Sequence, residues 1–170
     1  MTELLENGWV VVVKHDCPTC ELVQPVLRKM ADSGTPLQVF SQDDPDFPEG
    51  IANVEDDRDL EQSFRLDIET VPTLIRRENG REVERTLGWD QGDWRELTGI
   101  EELGEELPEF QPGCGSLSAE PGVEERLQVK FGEVPFLSRQ VPLSETEDPI
   151  EMAYDRGWSD GLPVVPPTDE

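Results

Sequence analysis

Two cysteines separated by two residues, Cys17-Pro18-Thr19-Cys20, are the residues of this 170-residue chain best suited to chemistry. A dithiol at this spacing supports disulfide exchange. One sulfur attacks as a thiolate, and the other, a helical turn away, displaces the product. If Cys17 opens a helix, unpaired backbone N–H groups and the helix dipole both favour its thiolate. Pro18 suits the first turn, where its missing N–H would have no partner. The preceding residues are modulators of opposite sign: a protonated His15 favours the thiolate and Asp16 opposes it. A third thiol, Cys114, sits between Gly113 and Gly115 on backbone open to approach. It is either an exchange partner of Cys17 and Cys20 or an idle linker thiol. Zinc binding is the competing chemistry, and it would have to draw on His15, Cys17, Cys20 and Cys114. A single CxxC after a strand favours redox chemistry over zinc. His15 is the only histidine, which makes Ser/His or Cys/His hydrolysis a poor alternative.

The elements that must position these thiols follow from the apolar pattern. Trp9-Val10-Val11-Val12-Val13 is a β-branched run without alternation, as in a strand buried on both faces. Leu22, Val23, Val26, Leu27 and Met30 recur at helical spacing, which predicts a helix from near Pro18 to Ala31, kinked at Pro25. Leu37 to Phe40 reads as a second strand, parallel to the first through a right-handed crossover. Residues 41–50 have loop composition, and 57–64 read as a short acidic helix. Thr73 to Arg77 and Glu82 to Leu87 flank Asn79-Gly80, the strongest local hairpin signal. Asp90 caps a final helix carrying Trp94, Leu97 and Ile100. The order βαβ, α, ββα predicts an α/β fold, with a mixed central sheet and flanking helices.

From Gly8 to Leu103 the chain resembles the thioredoxin superfamily. The resemblance rests on CPTC after a hydrophobic strand, Pro25 in the following helix, Thr70-Val71-Pro72-Thr73 ahead of the Asn79-Gly80 hairpin, and Gly88 before the last helix. It implies a thioredoxin-like fold and a cis peptide at Pro72 facing the CxxC. It also implies that Val71 offers its backbone to a bound peptide, so Val71 and Pro72 are the expected substrate-binding residues. The chain departs from the family in having Cys-Pro-Thr-Cys after Asp16, where Cys-Gly-Pro-Cys after Trp is usual. Val11 also replaces a buried acid that serves the second cysteine.

The 39 acidic and 14 basic residues leave a formal charge of −25. Duplex nucleic acid and polybasic membrane contacts are therefore poor partners, since both depend on Lys and Arg. Acids occupy the N-terminal positions where a signal peptide needs positive charge, and the apolar run at 9–13 is too short to span a bilayer. A cytoplasmic location is expected.

The chain changes character near residue 104. Residues 105–170 hold nine of the fifteen prolines, and they read as a Pro-rich acidic C-terminal arm. Val123, Leu127 and Phe131 predict one helix in it. The pairs Pro135-Phe136, Val141-Pro142 and Pro149-Ile150 predict extended chain lying on a surface. Cys114-Gly115-Ser116 and the segment from Gly157 to Thr168 resemble proteins named for a selenocysteine-or-cysteine Gly-Ser-Cys motif, with Leu117 in place of the final Cys. That resemblance implies that the arm engages, or was once fused to, a thiol-dependent enzyme.

The expected organisation is thus a thioredoxin-like domain over 1–104 and an arm over 105–170. The expected activity is thiol–disulfide exchange, with Cys17 as nucleophile and Cys20 as resolving thiol. It acts on a protein or small disulfide, uses no bound cofactor, and depends on a separate reductase as electron donor. The alternative is an interaction subunit that binds a partner enzyme through the arm.

Overall fold

The valine run determines the centre of the molecule. In the computed structural model, which describes residues 3–52, 54–132 and 148–158, strand β1 (Gly8–Val13) is the middle of a five-stranded sheet. Trp9 and the four valines are all buried in succession, so both faces of the strand are covered. Each such valine contributes on the order of 1.5–3 kcal/mol of burial. Strand β2 (Leu37–Ser41) pairs with β1 in parallel, Val11 opposite Val39. Strand β5 (Thr73–Glu78) pairs with β1 antiparallel on its other side, Val11 opposite Leu74.

The sheet order is β3-β2-β1-β5-β6, where β3 is Val54–Asp56 and β6 is Arg81–Leu87. It is a mixed sheet with flanking helices, as expected. The β5–β6 hairpin turns at Asn79 and Gly80, both with positive φ (53° and 76°), the geometry of the turn that Asn-Gly favours.

Two expectations about the first half need correction. The single kinked helix is two helices, α1 (Pro18–Leu22) and α2 (Gln24–Asp32), broken at Val23. Pro25 has no N–H to give to Glu21, so it sits in the first turn of a new helix instead. The acidic helix is shorter than 57–64: α3 covers Glu61–Arg65. Strand β3, just before it, was not anticipated. It pairs in parallel with β2 at the sheet edge, where the half-exposed Val-Glu-Asp sequence carries no apolar alternation to reveal it.

Beyond β4 (Thr70–Val71), β5 and β6, the short β7 (Trp89–Asp90) leads into α4 (Gln91–Thr98). Asp90 caps α4 by accepting from the Gly92 and Asp93 N–H groups, as expected of an Asp in that position. The core joins β1 to Val26, Leu27 and Met30 of α2, Leu74 and Ile75 of β5, and Trp94 and Leu97 of α4.

Residues 108–119, which a boundary at 104 assigns to the arm, lie against this α/β body. Strand β8 (Phe110–Gln111) pairs with β7, and strand β9 (Cys114–Gly115) pairs with β4, both antiparallel. A 3-10 turn at Leu117–Ala119 follows, then helix α5 (Val123–Phe131), the one helix expected in the arm. Pro149 and Ile150 do not extend the chain as expected: they open helix α6 (Pro149–Asp155), which Asp148 caps. Residues 135–143 and 159–168 lie outside the described residues. Among the described residues, no helix is long and apolar enough to cross a membrane.

Candidate active site

Strand β1 delivers the chain to Lys14, and the motif loop turns there. Asp43, in the loop after β2, accepts from the backbone N–H groups of His15 (2.7 Å) and Asp16 (2.9 Å). The chain is thereby held in the turn that places Cys17 as the N-cap of α1. Cys17 is 1% exposed and Cys20 is fully buried.

Backbone donors converge on these sulfurs. The Cys20 N–H points at Cys17 Sγ (3.4 Å), and the Lys14 N–H points at Cys20 Sγ (3.4 Å). The Cys17 thiol is lowered from 9.0 to about 5, first by the hydrogen bond it accepts from the Cys20 thiol. Burial opposes that shift, and a hydrogen bond from Cys114 and the N–H groups of Cys20 and Thr19 reinforce it. Helix α1 has only five residues, so these local donors carry the effect that a longer helix dipole would share. Burial pushes the Cys20 thiol far up, and donating to Cys17 raises it further. The two cysteines are therefore driven apart: Cys17 is the thiolate and Cys20 the proton-bearing thiol beside it.

Val71 and Pro72 reach this centre from the other side. Both are buried, and the Val71–Pro72 peptide is cis. The Val71 carbonyl lies 3.6 Å from Cys17 Sγ, where it accepts from the thiol form. The Phe47–Pro48 peptide is also cis, which the sequence did not suggest.

Cys114 joins the same cluster. In the β4–β9 pairing it is directly opposite Val71, and Thr70 is opposite Gly115. Its sulfur is 2.6 Å from Cys17 Sγ. Burial, followed by donation to Cys17, raises the Cys114 thiol. The backbone expected to be open and glycine-flanked is therefore held in a strand. Gly113 is needed there because a Cβ on it would clash with Thr70 Cγ2 and meet the Val71 carbonyl at 2.7 Å.

The two expected modulators are at the surface of the motif loop. His15 is exposed, stacks on Phe47 with ring centroids 5.0 Å apart, and places its nitrogens 3.3 Å from Glu21 and 3.4 Å from Asp44. Asp16 is exposed too. Among the described residues, no cluster of three or more His, Cys, Asp or Glu is arranged to hold a metal.

Several residues in the site went unread in the sequence. Thr19, inside the motif, donates its hydroxyl to the Pro112 carbonyl (2.6 Å) and accepts from the Gln111 amide (3.0 Å). Lys14 Nζ donates to the Gly115 carbonyl (3.0 Å). Further along, the Gln42 amide donates to Ser63 and Ser116 and accepts from the Leu117 N–H. Asp57 sits behind Ser63 and accepts from its N–H and hydroxyl. Burial raises the Asp57 carboxyl, against the pull of those donors. The signal for Thr19 was its place between the cysteines. Nothing local pairs Gln42 with Ser116, which is 74 residues away.

No protein-family model matches the chain, and no curated protein does.

Proposed function

We propose that this protein is a thioredoxin-like thiol–disulfide oxidoreductase. The supporting observation is the asymmetry of the dithiol: Cys17 sits at a helix N-cap with its thiol lowered to about 5, and Cys20 is buried beside it and held protonated. Cys17 attacks a disulfide in a protein or small molecule, and one product thiol leaves. Cys20 then attacks Cys17 Sγ, releasing the second thiol and leaving a Cys17–Cys20 disulfide. A separate reductase returns the two electrons. The cis Val71–Pro72 peptide beside Cys17, the β1–α1 placement of the motif and the sheet order support the thioredoxin-like reading, with Val71 and Pro72 as the substrate-facing wall. The negative charge favours basic targets and a soluble, cytoplasmic setting.

A redox titration tests this directly. Thiols are alkylated at a series of glutathione poises and mapped by mass spectrometry. The expected result is a reversible Cys17–Cys20 disulfide with a potential of roughly −270 to −200 mV. Absence of that disulfide at every poise overturns the proposal.

One observation favours the second reading, an interaction subunit. Ile150 and Tyr154, four residues apart on α6, are exposed, and so is Trp158 just past its end. Three large apolar side chains left in solvent over nine residues suit a partner protein. Removing residues 133–170 should then abolish a defined complex in size-exclusion chromatography and leave the thiol chemistry intact. If truncation leaves both the complex and the elution volume unchanged, the subunit reading falls.

A further inference from the structure

The segment 108–119 is bound along its whole length, and it runs over the reactive sulfur. The Trp89 indole N–H holds the Pro108 carbonyl at 2.6 Å, and Trp89 pairs with Gln111. Thr19 holds Gln111 and Pro112, and β4 holds Cys114 and Gly115. The Ser116 N–H donates to the Glu69 carbonyl (2.9 Å), and Ser118 Oγ donates to the Ile68 carbonyl (2.8 Å). This strap leaves Cys17 and Cys20 essentially without solvent contact, whereas Cys114 is only half-buried. A disulfide arriving from solvent therefore meets Cys114 first. Cys114 is also in direct sulfur–sulfur contact with Cys17, at 2.6 Å. The arrangement resembles an attacking thiol held against its own substrate, with the substrate strand supplied by the same chain.

We infer that Cys114 is a third redox residue, a relay that takes oxidising equivalents from an external disulfide and passes them to Cys17. This rests on the oxidoreductase reading above and changes its first step: Cys114 meets the external disulfide, and Cys17 attacks the mixed disulfide formed on Cys114. In the first step Cys114 attacks an external disulfide RSSR. Its proton passes to the adjacent Cys17 sulfur, RS⁻ leaves, and a Cys114–S–SR mixed disulfide forms. Cys17, having given the proton to the departing RS⁻ or to water, then attacks Cys114 Sγ and expels the second RS⁻. That step leaves a Cys17–Cys114 disulfide. Cys20 loses its proton to the expelled thiolate and attacks Cys17 Sγ. The Cys114 thiolate is released and takes up a proton from water. The sum is the Cys17 thiolate and the Cys20 thiol oxidised to their disulfide, and RSSR, with that one solvent proton, reduced to two RSH. The strap need not open for any of these steps, because the exchanging sulfurs are already in contact.

Trapping tests the relay. Cys20→Ser protein oxidised with glutathione disulfide should accumulate a Cys17–Cys114 disulfide, seen as a cross-linked peptide pair. A Cys17–glutathione adduct with Cys114 free would overturn the relay. In a second measurement, reduced protein is mixed with one equivalent of dithiobis-nitrobenzoate, which releases a coloured thiol at each exchange. Wild type should release two coloured thiols rapidly. Cys17→Ser should release one, with the adduct held on Cys114. Cys114→Ser should release the first roughly tenfold more slowly or worse. If Cys114→Ser reacts as fast as wild type, or faster, the strap is only a cover and the relay falls. The two readings fail separately. A Cys17–Cys20 disulfide that forms equally fast without Cys114 removes the relay and leaves the oxidoreductase. A Cys17–Cys114 disulfide with no Cys17–Cys20 disulfide following it overturns the oxidoreductase reading and the relay's last transfer, and leaves only exchange between Cys114 and Cys17.

Discussion

Cys17 is flanked by two sulfurs that reach it in opposite ways. Cys20 arrives from three residues down the chain, carried by the first turn of α1, and its sulfur is fully buried. Cys114 arrives from 97 residues away, carried by a two-residue strand against β4, and is a half-buried residue. Local geometry holds the first partner: any chain that forms the helix has the pair. The second exists only while the strap is docked. A dithiol built by a helix is therefore robust to distant change, whereas a contact built by a strap is adjustable, because it depends on several modest bonds.

That contrast can be broken most sharply at the shared sulfur. Cys17→Ser should reduce multiple-turnover disulfide reduction to background, since neither Cys20 nor Cys114 has another low-pKa partner; steady-state assays with glutathione disulfide check this.

Gly113→Ala should come next. Its Cβ meets the β4 backbone and Thr70, so the strap must shift at a cost of about 1–3 kcal/mol. Alkylation of Cys17 by iodoacetamide should accelerate, with the Cys17–Cys20 pair preserved. Gly115→Ala is the matched control, because its Cβ meets nothing within 4 Å. It should change stability by less than about 0.5 kcal/mol. Equal effects of the two substitutions would show that the strap is not seated as described.

Thr19→Ala should have a smaller effect. It removes the hydroxyl that pairs with Pro112 and Gln111, at about 1 kcal/mol, and should speed Cys17 alkylation less than Gly113→Ala does. Denaturant melts and alkylation rates on the same samples separate the two effects.

The pH dependence sharpens the comparison further. The folded Cys17 thiol titrates near 5 against 9.0 for an unperturbed thiol, so the native state binds fewer protons between those values. Stability from this group is complete above about pH 9 and is lost as pH falls through about 5. The raised Cys20 and Cys114 thiols act only as pH climbs past the unperturbed value. The stability of wild type should therefore rise more steeply from pH 5 to 9 than that of Cys17→Ser, measured by urea unfolding. Identical slopes would show that Cys17 is not a depressed thiol.

What was legible in the sequence follows the same division between local and distant. The valine run, the CxxC at a helix start, the Asn79-Gly80 turn and the Asp90 cap each act through neighbours within a few residues, and each took its expected form. Pro25 points to a disturbance of the helix from sequence alone, but whether it kinks or breaks at Val23 is decided by how α1 and α2 pack. Strand β3 was missed because an edge strand of three partly charged residues is held by its neighbour's ladder and not by its own pattern. Cys114 was recognised as a thiol able to exchange, but glycine flanks suggested open backbone. In the structure Gly113 serves close approach instead.

By itself, the sequence determined which thiols are available and the strand-to-helix junction that carries the CxxC pair. A hydrophobic strand feeding a short helix must bring Cys17 and Cys20 together, because φ/ψ preferences and helical spacing act over a few residues. Only the tertiary structure decided which further groups meet that pair. Thr19 finds Pro112, Lys14 finds Gly115 and Gln42 finds Ser116 across separations of 74 to 101 residues. Such pairings depend on the docking of preformed elements, where complementary edges and buried hydrogen bonds must be satisfied together. Residue type and spacing carry no record of that docking, and it alone places the third sulfur against the first.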